Sequence, residues 1–202
     1  MFDARLRRFI EPGLNQLGTA MVRCGLGANS ITLVGGALAL PIFYLLMVQQ
    51  WLPALLLLVL NRLLDGLDGA VARIKGPSLW GGYLDSLCDY LFYIAVPLGF
   101  AFVDPGNERA AAVLLASFTL TAVSFLALAA VLQGRDLGHG RKAFSYTTGL
   151  MEGGETILFF ILMCLFPQAF PQLAMLFTLL CILTVLQRLV LAHRLLNGDR
   201  MR

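Results

Sequence analysis

Four aspartates, Asp65, Asp68, Asp85 and Asp89, stand close together in the sequence and suit metal-assisted chemistry. The first two are three residues apart and the last two are four apart, so each pair shares one face if its segment is an α-helix. Carboxylate oxygens are preferred ligands of hard cations such as Mg²⁺, Mn²⁺ and Ca²⁺, and Mg²⁺ commonly shares a few carboxylates with substrate phosphates. The pattern therefore predicts a divalent cation that acts on a phosphate-bearing substrate.

The aspartates belong to apolar segments, and this location makes an accidental cluster costly. An ionised acid at the centre of a membrane helix costs about 2.5 to 3.5 kcal/mol on insertion scales, and less near the interface. Mutual repulsion among the acids adds to this cost unless a cation is bound. Arg73 can supply a bidentate contact to a phosphate or a nucleotide edge. Small residues surround the group and would let a bulky substrate approach the backbone: Gly66, Gly69, Ala70, Ala72, Gly81 and Gly82.

Ion pairing and transport are the two alternatives to catalysis for these aspartates. The acids could pair with Arg62, Arg73 and Lys75 while the glycines only pack helices, but four acids against three bases leave this pairing incomplete. The protein could instead be a proton- or cation-coupled transporter, in which intramembrane carboxylates relay charge. However, the aspartates are expected at one mouth of the membrane and not at its midplane, and the sequence shows no repeat symmetry or interrupted helix pair of the kind transporters use. Both observations favour an enzyme.

The composition indicates an all-α membrane protein. Of the 202 residues 58% are hydrophobic and 13% are charged, and the mean hydropathy is +0.79, so lipid must be the main solvent. A helix needs roughly 20 apolar residues to cross the hydrocarbon core of a membrane. Six segments approach this length: Ser30 to Val48, Leu52 to Arg73, Gly82 to Val103, Ala110 to Gln133, Thr148 to Phe166 and Phe170 to Leu191. The aspartates then fall at the facing ends of the second and third spans.

The distribution of basic residues predicts how these spans are oriented, because cytoplasmic loops carry the excess of lysine and arginine. Basic residues precede the first span, follow the sixth, and occur after the second and fourth: Arg5, Arg7, Arg8, Arg23, Arg73, Lys75, Arg135, Arg141, Lys142, Arg194, Arg200 and Arg202. The opposite loops hold only Arg109. Both termini and the aspartates are therefore expected on the cytoplasmic side of a membrane, and the inner membrane of a bacterium is the expected location.

The chain is expected to form one domain over residues 1–202. Residues 1–25 place apolar side chains at helical spacing among arginines, which is the pattern of an amphipathic helix lying in the membrane interface. Residues 30–191 are expected to form the six-helix transmembrane bundle. A nucleic-acid partner is not expected.

The aspartate region resembles the signature of the CDP-alcohol phosphatidyltransferases, which reads D-x2-D-G-x2-A-R, about eight residues, and G-x3-D-x3-D. The matching residues here are Asp65, Asp68, Gly69, Ala72, Arg73, Gly81, Asp85 and Asp89. The interval between Arg73 and Gly81 has seven residues. A six-span topology with cytoplasmic termini is also similar to that family, so the resemblance extends over most of the chain.

The resemblance implies an integral membrane phospholipid synthase. Such an enzyme transfers a phosphatidyl-type group from a CDP-linked lipid, such as CDP-diacylglycerol, to an alcohol and releases CMP. Asp65, Asp68 and Asp85 would hold a divalent metal, Mg²⁺ or Mn²⁺, on the diphosphate, while Asp89 would also touch metal and act as base on the acceptor hydroxyl. The residues expected to contact the CDP-lipid are Asn29, Thr32, Gly69, Ala72, Arg73 and Ser78. The resemblance also suggests a homodimer.

One of these assignments has a structural alternative, because Asn29 or Ser30 is equally suited to be the N-cap of the first span.

The candidates for selecting the acceptor alcohol lie around the start of the fifth span: Arg141, Lys142, Glu152 and Glu155. Two acids inside a membrane helix are costly and suggest function, such as hydrogen bonds to a polyol or attraction of an amine. The alternative is that the glutamates pair with Arg141, Lys142 or Arg188. Family members that use a phosphorylated acceptor tend to place an arginine directly after the second glutamate. Thr156 stands there instead, which disfavours a phosphorylated acceptor, although Arg141 and Lys142 could still serve one.

Overall fold

The computed structural model describes residues 2–133 and 153–197, and all regular secondary structure in this part of the chain is helical. The helices are α1 (Phe2–Arg23), α2 (Ala28–Ala37), α3 (Ala39–Met47), α4 (Trp51–Lys75), α5 (Leu79–Ala101), α6 (Pro105–Gln133), α7 (Gly153–Leu165) and α8 (Phe170–Asn197). A 3-10 turn at Pro167–Ala169 leads into α8. No strand occurs in the described ranges, so the all-α prediction is confirmed.

In the part of the chain that the structure describes, four helical segments are long and apolar enough to cross a membrane: Ala28–Met47, Leu79–Ala101, Pro105–Leu132 and Pro167–Asn197. They correspond to the first, third, fourth and sixth predicted spans. The helices at the other two predicted spans differ in character. Helix α4 has 25 residues but carries several charged side chains, and the described helix α7 has 13 residues. The structure thus has the apolar helices of an integral membrane protein.

The first of these segments begins earlier than expected. Gly27 has the extended backbone of an N-cap, with φ −97° and ψ 153°, and α2 starts at Ala28 without a side-chain cap. Asn29 and Ser30 already lie inside the helix, so the N-cap alternative for these two residues is wrong. The segment is also interrupted, because α2 ends at Ala37 and α3 begins at Ala39 after a turn at Leu38.

An aromatic core ties α5 to the second half of the chain. Phe92 lies 5.6 Å from Phe160 of α7, measured between ring centroids, and Phe160 lies 6.2 Å from Phe177 of α8. Further along α5, the ring of Phe100 stacks on Phe170 at 4.5 Å. All five of these phenylalanines are fully buried. Aromatic pairs in such offset and edge-on arrangements add about 0.5 to 1.5 kcal/mol each beyond their burial, so they hold α5 firmly in place.

Helices α4 and α5 form a hairpin with a three-residue connection of Gly76, Pro77 and Ser78. Gly76 has φ +96°, a value that residues with a side chain rarely adopt. Ser78 is the N-cap of α5, and its Oγ accepts a hydrogen bond of 3.0 Å from the amide of Gly81. Only three residues between Asp68 and Asp85 are therefore non-helical, and this short connection fixes the position of one aspartate pair relative to the other.

Helix α1 packs against the outer side of α4. A β-carbon added at Gly18 would lie 3.1 Å from the Ala70 Cβ, and one added at Gly66 would lie 2.9 Å from Leu14 Cδ1. Gly66 and Ala70 therefore serve helix packing, and the prediction that they open the aspartate mouth to substrate is wrong for both. Gly69 differs, because within 4 Å a β-carbon there would meet only the end of Arg73.

Candidate active site

Asp65, Asp68 and Asp85 converge as the spacing predicts. Each offers a carboxylate oxygen, and these three oxygens lie within 4.8 Å of one another, with Asp68 buried and the other two half-buried. The set consists of oxygen donors alone, which suits a hard cation such as Mg²⁺ or Mn²⁺. The residues present therefore fit the divalent metal that the sequence implies.

The cluster opens into a small cleft between three helices. Helices α2, α4 and α5 supply its lining residues, which are Thr32, Gly35, Gly36, Asn61, Arg62, Asp65, Asp68, Asp85, Cys88 and Asp89. The cleft thus joins the aspartates to polar groups of a third helix.

Thr32 connects α2 to the cluster. Its Oγ1 lies 2.6 Å from Asp68 Oδ2 and 3.0 Å from the carbonyl oxygen of Ala28. A hydroxyl has one hydrogen, and an ionised carboxylate is the stronger acceptor, so Thr32 donates to Asp68. Thr32 was predicted on the CDP-lipid side of the site, and the contact seen here is with a predicted metal ligand.

Asp89 lines the same cleft but stands outside the three-oxygen group, so its predicted contact with the metal stays a prediction. Its Oδ1 accepts a hydrogen bond of 3.0 Å from Nη1 of Arg62, and the same nitrogen lies 3.7 Å from Asp65 Oδ2. The ion-pair alternative is thus correct for Arg62. The other two bases point elsewhere, because Arg73 Nη2 lies 3.5 Å from Asn15 Oδ1 and Lys75 Nζ donates to the carbonyl of Leu26 at 2.8 Å.

The residues predicted to contact a nucleotide gather at the open ends of α2, α4 and α5. Gly81 lies between Asn29 and Ser78, since a β-carbon added there would be 3.0 Å from Asn29 Oδ1 and 3.0 Å from Ser78 Oγ. On α4, Arg73 reaches back over Gly69, where its Nη1 would lie 3.5 Å from an added β-carbon.

Ala72 is half-buried on the same turn of α4 as the exposed Arg73. Contact of any of these residues with a nucleotide stays a prediction.

Residues 26–187 match the CDP-alcohol phosphatidyltransferase family. The chain belongs to this family. The match spans the aspartate hairpin and α2 to α8, and it makes the protein a transferase of this enzyme class.

Three similar proteins give the family match more detail. The inner membrane protein YnjF of Escherichia coli is 43% identical over 195 residues, which is 93% of this chain and 93% of that protein. An archaetidylinositol phosphate synthase of Pyrococcus horikoshii is 31% identical over 99 residues, covering 48% of this chain and 53% of the synthase.

The fold is similar to that of the phosphatidylinositol phosphate synthase PgsA1 of Mycobacterium tuberculosis, whose crystal structure contains bound CDP-DAG. The TM-score is 0.71 at 19% identity, over 89% of this chain and 93% of the synthase.

Of the four residues predicted to bind the acceptor of this phosphatidyltransferase, the structure describes only Glu155. Arg141, Lys142 and Glu152 lie outside the described residues, and Glu155 is half-buried in the first turn of α7. Helix α7 packs against α4 and α1. A β-carbon added at Gly153 would lie 3.9 Å from the Tyr93 hydroxyl, and the Tyr93 ring centroid is 5.8 Å from Arg62 Cζ. The start of α7 therefore lies next to Tyr93, whose ring in turn lies near Arg62 of the aspartate cleft.

Arg188, which the sequence offered as a partner for the glutamates, makes contacts with α6. Its Nη1 donates to the Thr121 carbonyl at 2.9 Å and lies 3.3 Å from Ser124 Oγ. Its guanidinium carbon is 5.4 Å from the centroid of Phe125. Arg188 thus ties α8 to α6 inside the bundle.

Sequence reasoning missed Asn61, which is 2% exposed and donates from Nδ2 to the Gly35 carbonyl at 2.8 Å. The signal was present, because an amide in the apolar run of α4 is costly unless both of its polar atoms find partners. The same reasoning applies to Arg62, which was considered only as a neutralising base.

Proposed function

We propose that this phosphatidyltransferase moves the phosphatidyl group of a CDP-linked lipid such as CDP-diacylglycerol to an alcohol and releases CMP. The observation that carries the proposal is the group of three carboxylate oxygens within 4.8 Å, contributed by the residues of the family signature. The CDP-DAG bound to the fold relative PgsA1 supports the choice of donor. A biosynthetic role in membrane phospholipids follows from that donor.

The chain's own residues divide the work of this reaction. Asp65, Asp68 and Asp85 would hold a divalent cation, which supplies neutralisation of the diphosphate charge when bound. Asp89 takes the proton of the acceptor hydroxyl while the oxygen of that hydroxyl forms a bond to the lipid-bearing phosphorus. The bond from that phosphorus to the bridging oxygen breaks, and CMP leaves with the electron pair. Because Asp89 stands apart from the three-oxygen group, its carboxylate remains suited to accept the proton.

The donor is proposed to approach along the ends of α2, α4 and α5. Asn29 and Ser78 place an amide oxygen and a hydroxyl around Gly81, and both are suited to hydrogen bonds with a nucleotide. Gly69 leaves the backbone of α4 accessible, and Arg73 adds a guanidinium for the phosphates. Thr32 acts on the donor through Asp68. The small side chain of Ala72 leaves room for the donor at this turn of α4.

The acceptor is proposed to enter from the side of α7. Glu155 lies in the first turn of that helix, close in sequence to Gly153, which packs near Tyr93. Its carboxylate is suited to hydroxyl or ammonium groups, so the proposed acceptor is an unphosphorylated polyol or amino alcohol. Arg141, Lys142 and Glu152 are assigned to the same acceptor side from the sequence.

The membrane arrangement completes the proposal. Helices α4 and α7 are assigned as the second and fifth of six spans, and α1 as the helix in the membrane interface. The excess of lysine and arginine at one side supports a cytoplasmic location for both termini and for the cleft. The 43% identical inner membrane protein YnjF supports the inner membrane as the location, and the homodimer remains a prediction from the family.

One assay tests the proposal against the transporter alternative. Purified protein in detergent is incubated with CDP-diacylglycerol, Mg²⁺ and a panel of alcohols, and CMP release is measured. An enzyme releases CMP without a sealed compartment, and release depends on one class of alcohol and stops with EDTA. Ion-driven flux in liposomes, together with no consumption of CDP-lipid in detergent, would instead establish a carrier.

A further inference from the structure

Arg62 occupies a position that the family signature does not include, and four groups hold it there. Its Nη1 donates to Asp89 at 3.0 Å and its Nε donates to Asn61 Oδ1 at 2.8 Å. Its guanidinium carbon also lies 4.3 Å from the ring centroid of Phe92, one turn beyond Asp89 on α5. The second carboxylate, Asp65, is farther away at 3.7 Å. The closest carboxylate contact of Arg62 therefore joins α4 to Asp89 of α5.

Asn61 fixes the other side of the guanidinium. Its Nδ2 donates to the backbone carbonyl of Gly35 at 2.8 Å, so its Oδ1 faces the Nε–H of Arg62. Only this orientation of the amide satisfies both neighbours, because the Gly35 oxygen needs a donor and the Arg62 nitrogen needs an acceptor. Backbone of α2, Asn61, Arg62 and Asp89 thus form a continuous chain of hydrogen bonds.

The planar guanidinium suits this arrangement better than any other basic group. Its donors diverge in fixed directions, so one edge can bind Asn61 while another binds Asp89 and its face packs on Phe92. The side chain is about four-fifths buried, at 16% exposure, and cannot swing freely into solvent. Its positive charge also stands beside Asp65, where it opposes binding of a cation to the three-aspartate cluster.

We propose that Arg62, held by Asn61, is a positioning residue that fixes the orientation of the Asp89 carboxylate toward the acceptor hydroxyl. This inference rests on the proposed function, because it requires Asp89 to act as the base. Arg62 acts on the reaction through Asp89 and not by strengthening the cation site. Its removal therefore affects turnover and cation binding in different directions.

The test compares Arg62→Gln and Arg62→Lys with wild type and with Arg109→Gln, which removes an exposed positive charge at the start of α6. In Arg62→Gln, kcat is expected to fall at least about 100-fold, the lower end of what a positioned base contributes. The KM for CDP-diacylglycerol stays within about threefold, a shift of less than 1 kcal/mol in donor binding. Arg62→Lys keeps the positive charge but loses the planar, forked set of donors, so its kcat should lie between those of wild type and Arg62→Gln.

Cation binding is measured on the same samples by Mn²⁺ electron paramagnetic resonance. Because a positive charge next to Asp65 is lost, Arg62→Gln should bind Mn²⁺ as tightly as wild type or more tightly. A collapsed cleft would instead lose turnover and Mn²⁺ binding together, which would overturn the inference. Thermal unfolding in detergent checks that each variant is folded. Asn61→Leu, which removes the partner of the Arg62 Nε, should also lower kcat, but by a smaller factor than Arg62→Gln.

Two further results would also overturn the positioning role. A raised donor KM with kcat unchanged would make Arg62 a contact of the diphosphate, and unchanged kinetics in Arg62→Gln would make the contact irrelevant to turnover. If wild type released no CMP with any alcohol, the proposed function itself would fail. If wild type was active and Arg62→Gln equally so, only the positioning inference would fail.

Discussion

The hydroxyl of Thr32 lies 2.6 Å from Asp68 Oδ2, although the two residues are 36 positions apart in the sequence. Asp68 is the buried member of the three-aspartate cluster, and this contact comes from a different helix, α2. Such outer partners hold a metal ligand in the orientation that binding requires. The first span therefore contributes to the proposed cation site although it supplies no carboxylate to the cluster.

Thr32→Val should weaken cation binding, because it removes the hydrogen-bond donor to Asp68 while keeping a similar shape. Loss of an outer partner typically costs about 10- to 100-fold in metal affinity. The measurement is Mn²⁺ affinity by electron paramagnetic resonance, together with the Mg²⁺ concentration for half-maximal CMP release. Thr32→Ser keeps the hydroxyl and serves as the control. Equal affinities in the valine and serine variants would contradict the role given to this contact.

Asp89→Asn should abolish turnover while leaving binding of the CDP-lipid largely intact. The amide keeps the shape of the side chain but cannot take the acceptor proton, so CMP release should fall at least about 100-fold. Asp65→Asn and Asp85→Asn are the matched comparison, because they remove a carboxylate from the cation cluster and should lower Mn²⁺ affinity as well. Near wild-type CMP release in Asp89→Asn would show that another group is the base.

Gly36→Ala should destabilise the protein at the contact between α2 and α5. The added β-carbon would lie 2.5 Å from Cys88 Sγ and 3.0 Å from Cys88 Cβ, which forces the helices apart. Overpacking of this kind typically costs about 1 to 3 kcal/mol, so the midpoint of thermal unfolding in detergent should fall.

Two controls accompany the Gly36 variant. Gly82→Ala should not lower the midpoint, because nothing lies within 4 Å of its added carbon. In the double variant with Cys88→Ala the sulfur is gone, and part of the lost stability should return. An unchanged midpoint in Gly36→Ala would mean that the two helices separate without cost.

Glu155→Gln should change the use of the acceptor and not the binding of the donor. The residue lies in the first turn of α7, two positions after Gly153, which packs near the Tyr93 hydroxyl, whereas the donor is assigned to the side of Arg73. The acceptor KM should rise or kcat should fall, while CDP-lipid affinity changes little. Donor titration and acceptor kinetics on one preparation decide the matter, and loss of donor affinity or of the fold would place Glu155 in a structural role.

The sequence predicted the helical class and the meeting of the aspartates because both follow from local periodicity, although all four acids were expected to converge and Asp89 stands outside the group of three. Apolar runs specify helices, and a spacing of three puts Asp65 with Asp68 on one helix face. The short connection of Gly76, Pro77 and Ser78 then brings Asp85 to the same depth. No long-range information is needed for this part of the site.

The remaining features depend on how the helices rotate and pack against each other. From spacing alone, Arg62 is a partner for Asp65 three residues later, yet its shortest contact is with Asp89 on the next helix. Gly66 looks like an opening near the aspartates and instead receives Leu14 of α1. Neither outcome could be predicted without the tertiary arrangement, since one helix face can meet any of several neighbours.

Within the described residues, every side chain that lines the aspartate cleft comes from α2, α4 or α5, between Thr32 and Asp89. The later helices support the cleft from outside, through rings such as Phe160 packed on Phe92. Mutations that accumulate in α6, α7 and α8 during evolution can therefore reshape the surroundings of the cleft while its carboxylates stay in place. A lineage can diversify its second half and still inherit the same aspartate cluster from its first.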